Sequence, residues 1–469
     1  MKQDRYDLVV IGAGSGGLVG ARFAAQLGAK VALVEKNRIG GDCTWTGCVP
    51  SKALLKAAKI AHEVRTAAHY GVIANPPAID MPRVRDYVRG AIQSVYRYET
   101  PDELTRQGME VVLGTARFIN GSSIEVGGHT LSSKAFLITT GGRPLLPPIT
   151  GLEQVPFVTY ESIFDNEVLP QTMIIVGGGP IGMEMAQAYQ RLGSQVTIVA
   201  SQVLPKEDAD VQQLMQTLLE REGVRFVLEQ AASVCRGSAG ITVKTEHHDA
   251  RGDLLLVAAG RAPNVKGLQL ENAGVHHTER GIPVDGQLRT NVKHVYAAGD
   301  VLGGYQFTHY AGWQAFHAVR NALLPGSSSG KTELVPWVTF TAPEVAHVGL
   351  TEQQALAEPS AGITIHKHPM THVDRAVCEN DTPGFIKLIS RKDGTILGAT
   401  IVASRAGEAI MELIVGMTQG LKLKDLAGTI HPYPTYSSGV QQMAADITVE
   451  HLLSGASGKL VRTLSRMAR

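Results

Sequence analysis

A short apolar run that ends in a glycine loop occurs twice in this 469-residue chain, and that repetition constrains the fold more than any other feature. The first run, Tyr6 to Ile11, leads into Gly12-Ala13-Gly14-Ser15-Gly16-Gly17. Such an unbroken run reads as a parallel strand buried on both faces. A helix is expected from about Leu18 to Leu27, then a strand from Lys30 to Val34 that closes on Glu35. Gly12 permits a tight turn, Gly14 lets backbone approach a pyrophosphate, and Gly17 lets helix pack on strand. The helix N-terminus offers N–H donors to phosphates, and Glu35 can accept from ribose hydroxyls. The second unit runs from Gln171 to Val176 through Gly177-Gly178-Gly179-Pro180-Ile181-Gly182 and a helix to about Leu192, then a strand from Gln195 to Val199. Two such units imply two bound dinucleotides.

Two of the four cysteines follow the first unit closely, in Gly40-Gly41-Asp42-Cys43-Thr44-Trp45-Thr46-Gly47-Cys48-Val49-Pro50-Ser51-Lys52. Cys-x4-Cys alone suits a zinc half-site or a pair of buried thiols as well as a redox couple. A zinc site needs a second pair, and Cys235 and Cys378 are solitary, which reads as buried or incidental thiols. Behind a nucleotide loop, the spacing says that electrons leave the cofactor through sulfur. The pair is expected on the first turns of a helix running to about Ala61, where the dipole makes thiolate available. Gly41 and Gly47 are expected to let backbone approach a ring system. Lys52 falls one turn beyond Cys48 on the same face. Trp45 reads as packing.

This segment resembles the redox-active stretch of the class I pyridine nucleotide-disulfide oxidoreductases, which include glutathione reductase, dihydrolipoamide dehydrogenase and mercuric reductase. The resemblance covers about residues 5 to 450 and is strongest to the mercuric reductase catalytic core. Thr139-Thr140-Gly141-Gly142-Arg143-Pro144, with Pro147 and Pro148, resembles the hinge between the family's two nucleotide domains. Val257 to Asn264, with Gly260, resembles the segment that closes the NAD(P) domain, and Val295 to Asp300 the second FAD motif. Pro336 to Glu352 resembles the start of the interface domain that pairs two subunits. The resemblance implies that Cys48 lies against the flavin and Cys43 attacks substrate. It implies that Asp300 accepts from a ribityl hydroxyl, that Lys52 beside the flavin pairs with Glu184, and that backbone at His309 passes the flavin edge.

The chain departs from the family pattern in its C-terminal segment. There, the resemblance implies a His-Glu acid-base pair supplied by the other subunit. Here the stretch reads His431-Pro432-Tyr433-Pro434-Thr435-Tyr436-Ser437-Ser438. Aligned on Pro434-Thr435, Tyr433 stands in the histidine slot and Ser438 in the glutamate slot; a shift of two residues makes His431 the base instead. A phenol with a pKa of about 10 is a poor base near neutrality. Mercuric reductase has Pro-Tyr here and also resembles Asp374-Arg375-Ala376 and Gly384 to Leu388, but it ends in a vicinal cysteine pair. No cysteine follows Cys378 in this sequence, and the metal-carrier domain of many mercuric reductases has no counterpart.

The expected fold is α/β: two Rossmann-like dinucleotide-binding domains plus an α+β dimerisation domain. The expected ranges are 1–150 and 276–333 for the FAD-binding domain, 151–275 for the NAD(P)-binding domain and 334–469 for the interface domain. The expected cofactors are FAD and NADPH. NADPH is preferred over NADH because the strand ending at Val199 is followed by Ala200-Ser201-Gln202 with no acid to repel a 2′-phosphate; Lys206 is placed to help. The expected activity is electron transfer from NAD(P)H through flavin and a Cys43–Cys48 disulfide to a soft metal such as Hg(II), held transiently by the two sulfurs, or to a small disulfide. No resident metal is expected. A diaphorase-like quinone or oxygen reductase and a slowly turning-over redox sensor are the alternatives. A formal charge of +1 gives no reason to expect nucleic acid or an anionic membrane as partner. No apolar run reaches the roughly 18 residues of a membrane span, and Met1 to Asp7 has no signal pattern. A cytoplasmic homodimer is expected.

Overall fold

A computed structural model of the chain describes residues 5–238, 240–357, 362–453, 458 and 463–467. The outer ends of the first and last expected domain ranges, residues 1–4 and 468–469, lie outside the described residues. The structure forms two compact units, Met1–Gln202 with Leu219–Thr332, and Val203–Leu218 with Glu333–Arg469.

The first unit holds both glycine loops. Strand β1 (Arg5–Ile11) lies between β2 (Val31–Glu35) and the strand His129–Ile138, parallel to both, with Val10 opposite Leu33 on one side and Leu137 on the other. Beyond β2 lies β3 (Met109–Leu113), and the short strand Val295–Ala297 pairs with the end of His129–Ile138. An antiparallel ribbon, Ala116–Asn120 and Ser123–Val126, extends the sheet. Side chains of β1 alternate between two cores. Val9 and Ile11 join Val34, Phe136 and Ile138, while Leu8 and Val10 join Leu33, Leu137 and Leu18. Burial on both faces is why this strand is apolar at every position rather than every second one. Each such leucine contributes about 1.5–3 kcal/mol by leaving water. Helix α1 (Ser15–Gln26) starts at Ser15, earlier than the sequence suggests, because Gly14 in extended conformation is its N-cap. The second glycine loop belongs to a parallel sheet ordered Arg225–Val227, Gln195–Val199, Thr172–Val176, Leu254–Val257.

The second unit is built on a five-stranded antiparallel sheet, ordered Trp337–Thr339, Glu344–Gly349, Ile396–Ala403, Phe385–Arg391, Ile363–Pro369. Val348, Ile386, Ile401, Leu413, Tyr436 and Val440 are among its core residues. This unit also takes in Val203–Leu218, which the sequence assigned to the NAD(P)-binding domain. Polar anchors explain the attachment. Trp337 Nε1 donates to Glu207 Oε1 at 2.5 Å. The Lys387 ammonium, 1% exposed, meets Asp208 at 3.2 Å, Asp210 at 2.7 Å and Glu352 at 2.7 Å. These three carboxylates could by spacing hold a metal ion, but the Lys387 ammonium already sits among them. Among the described residues no helix is long and apolar enough to cross a membrane.

Candidate active site

The two glycine loops are built alike. A Cβ on Gly12 (φ +103°) would stand 2.4 Å from the Thr139 carbonyl oxygen, and one on Gly17 would stand 1.8 Å from that of Gly12. On Gly14 a Cβ would meet nothing nearer than 3.8 Å. In the second loop a Cβ on Gly177 or Gly182 would strike backbone oxygens at 2.3 and 2.0 Å, whereas Gly179 faces open space. The outer glycines are thus filled by protein, and the middle one, at each helix N-cap, leaves a cradle that a side chain would fill. That cradle, together with a helix N-terminus, suits a dinucleotide pyrophosphate. At the end of β2 Glu35 is buried, and its carboxylate accepts from the Ala13 and Asn37 backbone N–H groups, each at 2.7 Å. Its remaining lone pairs suit ribose hydroxyls. Gly141 and Gly260 immediately precede the two paired strands Gly142–Pro144 and Arg261–Pro263.

The two cysteines occupy different helices. Cys43 lies within α2 (Gly41–Trp45), and Cys48 is the first residue of α3 (Cys48–Thr66). The single helix expected for the pair is therefore interrupted, and α3 runs on to Thr66. The break is at Gly47, where an added Cβ would stand 2.8 Å from the Asp42 carbonyl oxygen. A Cβ on Gly41 would meet Gly14 Cα at 2.8 Å, so the redox segment abuts the first nucleotide loop. Both glycines serve packing of protein on protein.

Only Cys48 gains from the α3 N-terminus. Both thiols are free, and a hydrogen bond from Cys43 is the main reason the Cys48 pKa falls to about 6. Burial opposes the fall; the Thr308 hydroxyl, 3.2 Å from Cys48 Sγ, and the Lys52 charge support it. The Cys43 pKa is pushed up, first by the same hydrogen bond and then by burial. The bond between the two sulfurs thus favours thiolate at Cys48 over Cys43. On the next turn of α3, Lys52 Nζ donates to Glu184 Oε2 at 3.0 Å, and Glu184 is buried on the helix Pro180–Leu192. The structure brings this expected pair together.

Three residues of the site escaped the sequence reading. Thr308, the first residue of the helix Thr308–Leu323, touches Cys48, whereas His309 is exposed and stacks on Phe307. Arg261 Nη2 donates to Asp300 Oδ2 at 2.7 Å and to Asp42 Oδ2 at 2.6 Å. Asp300 is thus ion-paired beside Cys43's neighbour; burial pushes its pKa up and Arg261 opposes that. A charged residue next to the glycines of a motif, as Asp42 and Arg261 both are, was the available signal. Trp45 packs as expected, its indole N–H donating to the Ile39 carbonyl at 2.7 Å. Ser201 is exposed just past the strand Gln195–Val199; Lys206 belongs to the second unit. Cys235 and Cys378 are exposed, not buried.

In the second unit, Tyr433 is 69% exposed and donates its hydroxyl to Asp374 at 2.6 Å, a bond that raises the phenol pKa. Both ring nitrogens of His431 are engaged, Nδ1 with the Thr429 carbonyl at 3.0 Å and Nε2 with Glu412 at 2.5 Å. A carbonyl and a carboxylate are both acceptors, so this geometry suits an imidazolium. Burial works against the charge, and the Glu412 bond raises the pKa above the ordinary value.

Residues 6–315 match the family model described as pyridine nucleotide-disulphide oxidoreductase, and residues 335–444 match the dimerisation domain of the same family. The chain is 35% identical to a mercuric reductase from Streptomyces lividans over 457 residues, 94% of this chain and 96% of that protein. It is equally 35% identical to a dihydrolipoyl dehydrogenase from Thermus scotoductus over 461 residues, again 94% and 96% of the two. Among solved structures, the HOCl-induced flavoprotein disulfide reductase RclA from Escherichia coli superposes with a TM-score of 0.85 at 30% identity, over 94% of this chain and 99% of that one.

Proposed function

The chain belongs to the pyridine nucleotide-disulphide oxidoreductase family, and on that premise we propose that it is an FAD-dependent, NADPH-driven reductase whose Cys43–Cys48 couple reduces a thiophilic metal ion such as Hg(II) or a small disulfide. The observation that carries the reading is the placement of the two sulfurs. Cys48 opens α3, with its sulfur 3.2 Å from the Thr308 hydroxyl, and Cys43 lies on the short helix just before it. Such a pair can close to a disulfide and reopen as its electrons are replaced. When bound, the flavin supplies two-electron transfer between nicotinamide and the disulfide.

The chain's own residues have separable tasks. Gly12, Gly14, Gly17, Glu35 and Asp300 hold FAD, with Gly141 and Gly41 beside it. Gly177, Gly179, Gly182, Gly260 and Ser201 hold NADPH. Lys52, oriented by Glu184, favours negative charge at Cys48. Cys43 is the exchange thiol, and Tyr433 takes the substrate-side position. Two thiolates suit a soft metal ion, and the E. coli RclA protein has been solved as a Cu(II) complex. The net change balances as NADPH plus Hg(II) giving NADP+, elemental mercury and one proton. The match to the dimerisation domain supports a homodimer, and a cycling disulfide suits a cytoplasmic location.

NADPH oxidation with Hg(II), glutathione disulfide, lipoamide and a quinone as acceptors tests the reading. It expects Hg(II) or a small disulfide to be reduced and Cys43→Ser or Cys48→Ser to abolish that activity. A quinone as best acceptor, with both variants fully active, would establish the diaphorase alternative instead.

A further inference from the structure

We propose that Asp42 is a positioning residue for Cys43, acting through Arg261 to hold the exchange thiol within reach of Cys48. The proposal rests on Cys43 and Cys48 being the redox couple. Asp42 is the residue immediately before Cys43, and two glycines in left-handed conformation, Gly40 (φ +102°) and Gly41 (φ +59°), come immediately before it. That is the freest backbone a turn can have; backbone bonds from Gly40 to the Ala13 carbonyl at 2.8 Å and from Gly41 to the Arg38 carbonyl at 3.2 Å hold the glycines, and side chains must hold the turn against the rest of the site. On the far side of Cys43 the helix is fixed by Thr44, which donates to Glu99 at 2.9 Å, and by Trp45. On the near side the fixing side chain is Asp42.

Its carboxylate takes a charge-assisted bond from Arg261 at 2.6 Å and a longer one from the Tyr160 hydroxyl at 3.3 Å. Arg261 is itself immobilised. Its guanidinium stacks over the Tyr160 ring at 4.8 Å and is bound to Asp300 at 2.7 Å, with its side chain 18% exposed. The redox turn is thus tied to a rigid cation. Forming the Cys43–Cys48 bridge depends on the effective concentration of one sulfur at the other, which falls when either is free to wander. Releasing the near side of Cys43 lowers that concentration in the dithiol while leaving Cys48, on α3, in place.

The test is the dithiol–disulfide equilibrium of the full-length purified protein in glutathione buffers, read by alkylation and mass spectrometry of Cys43 and Cys48. The exchange is protein dithiol plus glutathione disulfide giving protein disulfide plus two glutathione. Asp42→Ala is expected to weaken the bridge about tenfold, which moves the potential about 30 mV in the oxidising direction. Asp42→Asn, which keeps an acceptor oxygen but not the charge, should fall between that variant and the parent and serves if Asp42→Ala fails to fold. Arg261→Ala should weaken the bridge as much, with no further change in the double variant. A parent-like equilibrium in the Asp42 variants, or additive effects of Asp42→Ala and Arg261→Ala, would overturn the proposal. A parent protein that forms no Cys43–Cys48 bridge at any glutathione ratio would instead overturn the redox-couple reading on which it rests.

Discussion

Lys52 Nζ lies 3.0 Å from Glu184 Oε2, which joins the helix that begins with Cys48 to the helix that follows the second nucleotide loop. Lys52 lowers the Cys48 pKa and Glu184 raises it. The two charges therefore oppose each other at one sulfur, although they bind one another. Lys52→Met should shift thiolate formation at Cys48 to higher pH, and Glu184→Gln should shift it to lower pH. Ultraviolet thiolate absorbance of the reduced protein against pH measures both. Shifts in the same direction would show that the ion pair acts on Cys48 only through local structure.

Reduction of glutathione disulfide and lipoamide should be slow. Tyr433 offers a phenol with a raised pKa, and His431 has no ring nitrogen left for substrate. General acid-base help is worth about 10²–10⁴-fold. Tyr433→His with Ser438→Glu should raise disulfide turnover by part of that factor, whereas His431→Gln should leave it within about twofold. Brisk disulfide reduction by the parent that His431→Gln abolishes would make His431 the base and refute this assignment.

Much of this was legible in the sequence because glycine loops and strand periodicity are local signals. Both nucleotide units could be placed from runs such as Tyr6 to Ile11 and from the acid at Glu35. The Lys52–Glu184 pair was legible only through the family resemblance, since no spacing relates residues 132 positions apart. Less was legible where a fold decision depends on close approach in space. The break between α2 and α3 falls at Gly47, where any Cβ would meet the Asp42 carbonyl oxygen, and the sequence shows only a glycine. The attachment of Val203–Leu218 to the C-terminal sheet follows from Lys387 finding three carboxylates, none of them its neighbour in sequence.

Nucleotide preference can be tested at one position. Ser201 is exposed past the end of its strand and carries no charge against a 2′-phosphate. The apparent Kd for NADPH in stopped-flow flavin reduction should be lower than for NADH. Ser201→Glu should reverse that order, because a carboxylate repels phosphate and accepts from a free 2′-hydroxyl. Clear NADH preference in the parent would refute the assignment.

Stability should fall with rising pH through one buried carboxyl. Burial lifts the Glu207 pKa to about 7, the Trp337 bond opposing it, and Glu207 Oε2 is buried without a hydrogen-bond partner. Between the ordinary glutamate value and pH 7 the folded chain binds the proton more tightly than the unfolded one. The stabilisation due to that proton is thus fully present at lower pH and lost as pH rises through 7. Glu207→Gln, a mimic of the protonated acid, should be more stable than the parent at pH 8 by on the order of 3 kcal/mol and close to it near pH 4. Thermal melts across that range check this; a parent at least as stable as the variant at pH 8 would contradict it.

The central claim is that Cys48 carries the charge against the flavin and Cys43 faces the substrate. Anaerobic addition of one equivalent of NADPH, followed by visible absorbance, tests it most directly. The parent should develop a long-wavelength thiolate-to-flavin band. Cys48→Ser should never show it, and Cys43→Ser should show it without any reductant. Identical spectra from the two variants, or a parent that bleaches with no such band, would contradict the account.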